Sequence, residues 1–245
     1  MRSLLFLLLT CAVAHVRATV TESFVQTYPI SSTGTVRLEN VSGLIEIVAW
    51  DKADVHLEAV KSAPDPEDLA RIHLKIESTP ERLSIKTEYD KRLWIFGSWR
   101  GAVRYRLQVP ATVSLEKISV INADIRVSEV KNGMFLKTVN GRITGTGLAA
   151  TGRFETVNGS IHVAYVHINP ATTISLRTVN GPCELTLPKD TPFNVSSKTV
   201  NGGVRTDMPI RIEKSGRSEF RGGTGKGGIE IAFKSVNGGL EINAK

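Results

Sequence analysis

Few groups in this sequence are able to do chemistry at neutral pH, and their spacing is uninformative. Beyond residue 18 there are four histidines, His56, His73, His162 and His167, with no HExxH or similar spacing to bring two imidazoles onto one metal. Cys183 is the one cysteine past that point, so an intramolecular disulfide is excluded, and its apolar surroundings read as a packed core thiol. No GxSxG elbow presents a serine nucleophile. Paired carboxylates would suit glycoside chemistry. The acids of the second half (Asp124, Glu129, Glu155, Glu184, Asp190, Asp207, Glu230) nevertheless read as sharing no common position. Gly222-Gly223-Thr224-Gly225-Lys226-Gly227 has the glycines of a phosphate loop but neither a Ser/Thr after the lysine nor a following helix. It reads as part of a flexible insertion, Arg211 to Gly228. No catalytic residue, cofactor or metal is implied.

Binding chemistry is better represented. Lys91 to Arg100, with Trp94, Phe96, Trp99 and Arg100, is the densest aromatic and basic cluster. It reads either as an exposed loop gripping a glycan or a membrane interface, or as a hairpin folding its aromatics back onto a sheet. Lys137, Glu155, Arg177, Lys198 and Lys234 recur at one position of a repeat. They would form a charged stripe if the copies stack, suited to a repeating anionic polymer or simply to keeping an outer face wet. The formal net charge is +7; without Arg2 and Arg17 there remain 29 basic and 24 acidic residues, a moderate excess that does not call for nucleic acid. Asn40, Asn158 and Asn194 head N-x-Ser sequons.

The elements that would position these groups come from a recurrence. Thr138-Val139-Asn140-Gly141 returns as Thr156-Val157-Asn158-Gly159, Thr178-Val179-Asn180-Gly181, Thr199-Val200-Asn201-Gly202 and Ser235-Val236-Asn237-Gly238, at intervals of 18, 22, 21 and 36 residues. Two residues before each copy stand Leu136, Phe154, Leu176, Ser197 and Phe233; five after its first residue stand Ile143, Ile161, Cys183, Val204 and Leu240. Such alternation is that of strands with one buried face. Its parity shifts by one across Asn-Gly, so each copy reads strand, corner, strand, with Asn and Gly supplying positive-φ residues at the corner. An Asn-Gly hairpin meander fits this pattern. A parallel β-solenoid fits better, because stacking gives every column identical neighbours, asparagine ladders included. The valines share the outward parity of the charged residues and either rotate inward at the corner or cover an outer apolar strip.

Ahead of the repeats, Met1 to Ala18 reads as a secretory signal peptide. Leu8-Leu9-Thr10-Cys11 departs from a lipoprotein box at Thr10. No later stretch approaches the ~20 apolar residues of a spanning helix, so a secreted, periplasmic or envelope location is expected. Residues 19–110 read as a β-rich region with at most one short helix, starting near Pro64-Asp65-Pro66. Asn40-Val41-Ser42-Gly43 resembles a divergent corner, and Leu115 to Val127 a degenerate rung. Residues 111–245 form the repeat region, continuous with what precedes it. The whole is all-β.

The repeated Thr-Val-Asn-Gly, Asn40-Val41-Ser42-Gly43-Leu44-Ile45 with Trp50-Asp51, and Tyr105-Arg106-Leu107-Gln108-Val109-Pro110 together resemble the bacterial β-strand-repeat envelope proteins called putative adhesins, a family defined by a domain of unknown function. The resemblance runs from about Val36 to the end. It implies a β-helical, non-catalytic envelope protein of bacterial origin and carries over no catalytic or binding residue. The expected function is an exported adhesin or envelope binding and scaffold protein, with envelope polysaccharide or a surface or membrane protein as partner. Two alternatives are a glycan-active hydrolase or lyase on the same scaffold, and a periplasmic accessory of a membrane signalling complex docking through the valines or Trp94 and Trp99.

Overall fold

The computed structural model describes residues 19–90, 101–225 and 227–245. The leader expected over 1–18, including Cys11, and the cluster Trp94, Phe96, Trp99 and Arg100 lie outside the described residues. β1 (Val20–Pro29) is followed by β2 (Thr35–Glu39) and β3 (Ile45–Trp50). After β4 (Asp54–Ala63) come α1 (Pro66–Ala70), β5 (Ile72–Thr79), β6 (Arg82–Tyr89) and β7 (Ala102–Pro110). β8 (Ser114–Val120) and β9 (Ile125–Ser128) precede β10 (Met134–Thr138) and β11 (Ile143–Leu148), then β12 (Gly152–Glu155) and β13 (Ile161–Tyr165), then β14 (Thr173–Arg177) and β15 (Cys183–Leu187). The chain closes with β16 (Phe193–Asn201), β17 (Val204–Thr206), β18 (Arg211–Ser215), β19 (Glu219–Gly223), β20 (Ile229–Asn237) and β21 (Leu240–Ala244).

The alternation of β-branched and polar residues does what it should: one face of each strand is buried, and two sheets close over a common core. Sheet A has the order β1-β4-β7-β3-β9-β11-β13-β15-β21-β17; sheet B has the order β18-β19-β16-β20-β14-β12-β10-β8-β2-β6-β5. Ile143, Ile161, Cys183 and Leu240 line the inside of sheet A, and Leu136, Phe154, Leu176 and Phe233 that of sheet B; none is more than 1% exposed. Each buried side chain of this size contributes about 1.5–3 kcal/mol. The two strands flanking an Asn-Gly, such as β10 and β11, lie in different sheets, which rules out the hairpin meander. A rung is therefore one strand of each sheet joined at a corner, and central rungs pair in parallel and in register.

Spatial order departs from chain order at both ends. The rung β20/β21, last in the chain, sits between β14/β15 and β16/β17 and pairs with both. The rung β2/β3, first in the chain, sits between β6/β7 and β8/β9. Stacking therefore does not follow chain order: copy five lies between copies three and four. The insertion read as flexible is also corrected, because Arg211 to Gly228 contributes β18 and β19, an antiparallel hairpin laid on β16. At the opposite end β4 and β1 extend sheet A, and β5 extends sheet B, all by antiparallel pairing. Helix α1 crosses between the sheets there; Asp65 caps it by accepting from the Asp68 N–H at 2.8 Å, Pro66 opens it, and Leu69 is buried. Antiparallel additions and a short last strand blunt edges that would otherwise keep templating parallel rungs.

Candidate binding face

The corner is built from three columns. The Thr column (Thr138, Thr156, Thr178, Ser235, Thr199) is buried, and Asn40 and Val120 occupy it in the earlier rungs. Thr138 Oγ1 donates to Ala123 O at 2.9 Å and Thr156 Oγ1 to Gly141 O at 3.2 Å, tying these two rungs to the ones before, whereas the hydroxyls of Thr178 and Ser235 have no hydrogen-bond partner among the described residues. Asn40 Nδ2 instead reaches Ser42 O and Val103 O at 2.9 and 2.8 Å, so this sequon asparagine is a buried corner brace.

The Asn column is a continuous amide ladder. Asn140 Nδ2 donates to Asn122 Oδ1 at 2.8 Å, Asn158 to Asn140 at 3.0 Å, and Asn180 to Asn158 at 2.8 Å. Asn237 donates to Asn180, and Asn201 to Asn237, both at 2.8 Å. The amides polarise one another along the row. The Gly column serves a purpose other than the expected one. Of the corner glycines only Gly43 and Gly181 have positive φ, and no corner asparagine does. A Cβ at Gly141, Gly159, Gly202 or Gly238 would instead stand 1.9–2.1 Å from a carbonyl oxygen of the neighbouring rung. Glycine is required at the corners Asn140-Gly141, Asn158-Gly159, Asn180-Gly181, Asn201-Gly202 and Asn237-Gly238 because adjacent backbones touch there.

Outside the corner, the valines face solvent. In spatial order Val41, Ile121, Val139, Val157, Val179, Val236 and Val200 form one outer column where the strands of sheet B run into the corner; Ile121 is 44% exposed and Val200 63%, while Val41, Val139 and Val157 are half-buried. Of the two orientations open to the valines, the outer apolar strip is the one adopted. Beside it runs the charged column, whose order is Lys137, Glu155, Arg177, Lys234, Lys198, so that three cations become neighbours. Glu155 is held by Arg153 at 2.6 Å and by Arg177 at 3.5 Å. Opposite Lys198 stands Glu219, whose carboxyl is held below its ordinary value by its hydrogen bond and charge interaction with Lys214, with Arg221 and Lys198 adding smaller pulls.

On the opposite face, His162 Nδ1 lies 2.9 Å from Glu184 Oε2, and Glu184 and Glu241 are register partners on β15 and β21. Asn243 Nδ2 donates to Glu184 Oε1 at 3.3 Å. His162, Glu184, Glu241 and Arg205 border a shallow groove of about 720 Å³. The view that the acids share no position is corrected here: both glutamates stand three residues after a corner glycine, a coincidence readable from the repeat alignment once Glu241 is included. Cys183 is buried and burial pushes its thiol up to about 12. Among the described residues, no group of three or more His, Cys, Asp or Glu is placed to hold a metal. Asn158 and Asn194 are engaged as well, the latter donating to Glu230 Oε1 at 2.8 Å. No described helix is long and apolar enough to cross a membrane.

No family model and no curated protein sequence matches the chain. Among solved structures, one described as a putative cell adhesion protein from Clostridium sporogenes aligns with a TM-score of 0.55 at 11% identity, covering 92% of this chain and 100% of that one. It shares the fold. A putative adhesin from Bacteroides fragilis (TM-score 0.34, 10% identity, 90% and 97% covered) and a putative lipid binding protein from Parabacteroides distasonis (TM-score 0.32, 13% identity, 91% and 96% covered) also align, at scores too low to carry an argument.

Proposed function

We propose that the protein is an exported, non-enzymatic β-solenoid acting as an adhesin-like binding or scaffold protein of the cell envelope. One observation carries this reading: an aliphatic column runs unbroken along the outer face of sheet B, flanked by an amide ladder on one side and charges on the other. Exposed apolar surface that continues from rung to rung serves contact with an extended partner rather than folding. The sheets shared by residues 19–110 and 111–245 support treating them as one binding unit after removal of a leader over 1–18. The description of the solved neighbour that shares the fold, a putative cell adhesion protein, agrees with this direction.

The test has two parts. N-terminal sequencing of the mature protein from its native host is expected to begin near Thr19. Purified protein is expected to sediment with bacterial envelope fractions, and Val179→Asp/Val236→Asp to abolish this without loss of native circular dichroism. Unchanged sedimentation of that variant refutes the assignment of the face.

A second reading, a glycan-active enzyme, is favoured only by the Glu184–Glu241 pair. Neighbouring parallel strands lie about 4.8 Å apart, close to the roughly 5–5.5 Å separation of carboxyls in retaining glycosidases. It predicts release of reducing sugars from envelope glycans that Glu241→Gln abolishes.

A further inference from the structure

The last three rungs in space carry a triplet of chemistries repeated in register on the outer face of sheet B. Arg177, Lys234 and Lys198 are direct register partners across β14, β20 and β16. Two residues further along the chain from each stand Val179, Val236 and Val200, exposed by 37%, 41% and 63%. One residue beyond them, Asn180, Asn237 and Asn201 continue the amide ladder. Each rung therefore presents a cation, an aliphatic patch and an amide, and the set recurs about every 4.8 Å.

Two of the three cations are free to take a ligand: Lys234 and Lys198 enter no ion pair among the described residues, while Arg177 lies 3.5 Å from Glu155, a carboxylate that Arg153 already holds at 2.6 Å, and Glu219 is bound by Lys214 and Arg221. An asparagine amide has two N–H donors and an oxygen with two lone pairs. The ladder uses one donor and one lone pair of each inner asparagine, and the remainder is exposed to solvent. The triplet is confined to this end: the cation column is interrupted by Glu155, Ser119 and Glu39 in the preceding rungs.

We infer that these three rungs are a subsite for a linear acidic polysaccharide of the polyuronate class, lying across the strands. Each sugar unit of such a polymer offers a carboxylate for the cation, a C–H face for the valine and hydroxyls for the amide. A polyanion without apolar faces would use only the first column, and a neutral glycan only the other two. The assignment rests on the surface-binding function proposed above and narrows it to one ligand class.

The test measures binding of the full mature chain to polygalacturonate by calorimetry, with methyl-esterified polygalacturonate and inorganic polyphosphate as comparison probes. Polygalacturonate is expected to bind and to weaken as salt rises. Lys198→Gln/Lys234→Gln is expected to lower affinity about tenfold, Val236→Ser/Val200→Ser to lower it as well, and the ester to bind about tenfold more weakly. Lys75→Gln, on the far end of the sheet, is expected to leave binding unchanged. All substituted residues are exposed, and matching thermal melts establish that the variants are folded. Equal affinity for the ester or for polyphosphate overturns the assignment, as does an unaffected double lysine variant. If envelope sedimentation persists while polygalacturonate does not bind, the ligand class falls and the surface-binding function stands; loss of both overturns both.

Discussion

Substituting Gly159 by alanine probes the feature on which rung stacking depends. The added Cβ would stand 1.9 Å from Gly141 O and 2.7 Å from Gly141 C, both backbone atoms of the preceding rung. A carbon and a carbonyl oxygen tolerate about 3.3 Å at closest, so the corner must open by roughly 1.4 Å. That separation breaks or weakens Gly141 N–H to Asn158 O at 3.1 Å and the Asn158–Asn140 amide contact at 3.0 Å. Each hydrogen bond is worth about 1 kcal/mol net, and overpacking adds about 1–3 kcal/mol. The expected loss is about 3 kcal/mol, or about 6–12 °C in melting temperature for a chain of this size. Gly203→Ala is the matched control: a Cβ there meets nothing within 4 Å, and its effect should stay within about 0.5 kcal/mol. Urea titration followed by circular dichroism measures both. One rung already carries a Cβ in this column, at Ala123, next to Gly43; the asparagine before it, Asn122, bridges Ser42, so the amide ladder does not continue to that rung. That exception belongs to the start of the ladder. If Gly159→Ala unfolds within 0.5 kcal/mol of the parent, backbone contact is not why glycine recurs.

Asn180→Ala removes two amide links and Asn201→Ala one, so losses of about 1–2 and about 0.5–1 kcal/mol are expected in the same titration. Ser197 is buried between register partners Phe233 and Phe220 with no hydrogen-bond partner for its hydroxyl among the described residues. Ser197→Ala should raise stability by about 1 kcal/mol. Lys117, with a smaller contribution from Arg37, holds the Glu39 carboxyl below its ordinary value against the opposing effect of burial. Its stabilisation is therefore present above about pH 4.5 and is lost as pH falls through the lowered folded value. Glu39→Gln should cost about 0.5–1 kcal/mol near pH 7, with the gap from the parent closing in acid. Cys183, its thiol pushed up to about 12, should resist a thiol reagent at pH 8 until the chain is unfolded.

How much was legible from the residues alone follows from the range of each interaction. Period-2 alternation, the shift of parity at Asn-Gly and the Asp65-Pro66 helix start depend only on near neighbours in the chain, and strands, corners and α1 appear where those patterns placed them. The glutamate pair was equally readable but needed Glu241 to be set in the repeat alignment beside Glu184. The reason for Gly141, Gly159, Gly202 and Gly238 was not readable, because no positive φ demands them; the demand comes from a carbonyl in another rung.

Rung order was decided by tertiary structure for a related reason. In-register parallel pairing rewards any two copies almost equally, since Thr meets Thr or Ser, Val meets Val and Asn meets Asn whichever copies are neighbours. The repeat therefore determines that copies stack and which columns they form, but is nearly silent on sequence of stacking. What placed β20/β21 inside β16/β17 is the connection through β18 and β19, an antiparallel hairpin occupying the outer edge of β16 and turning the chain back to its inner edge. That reversal is what sets Lys234 between Arg177 and Lys198 and brings three cations together, a neighbourhood that no reading along the chain contains.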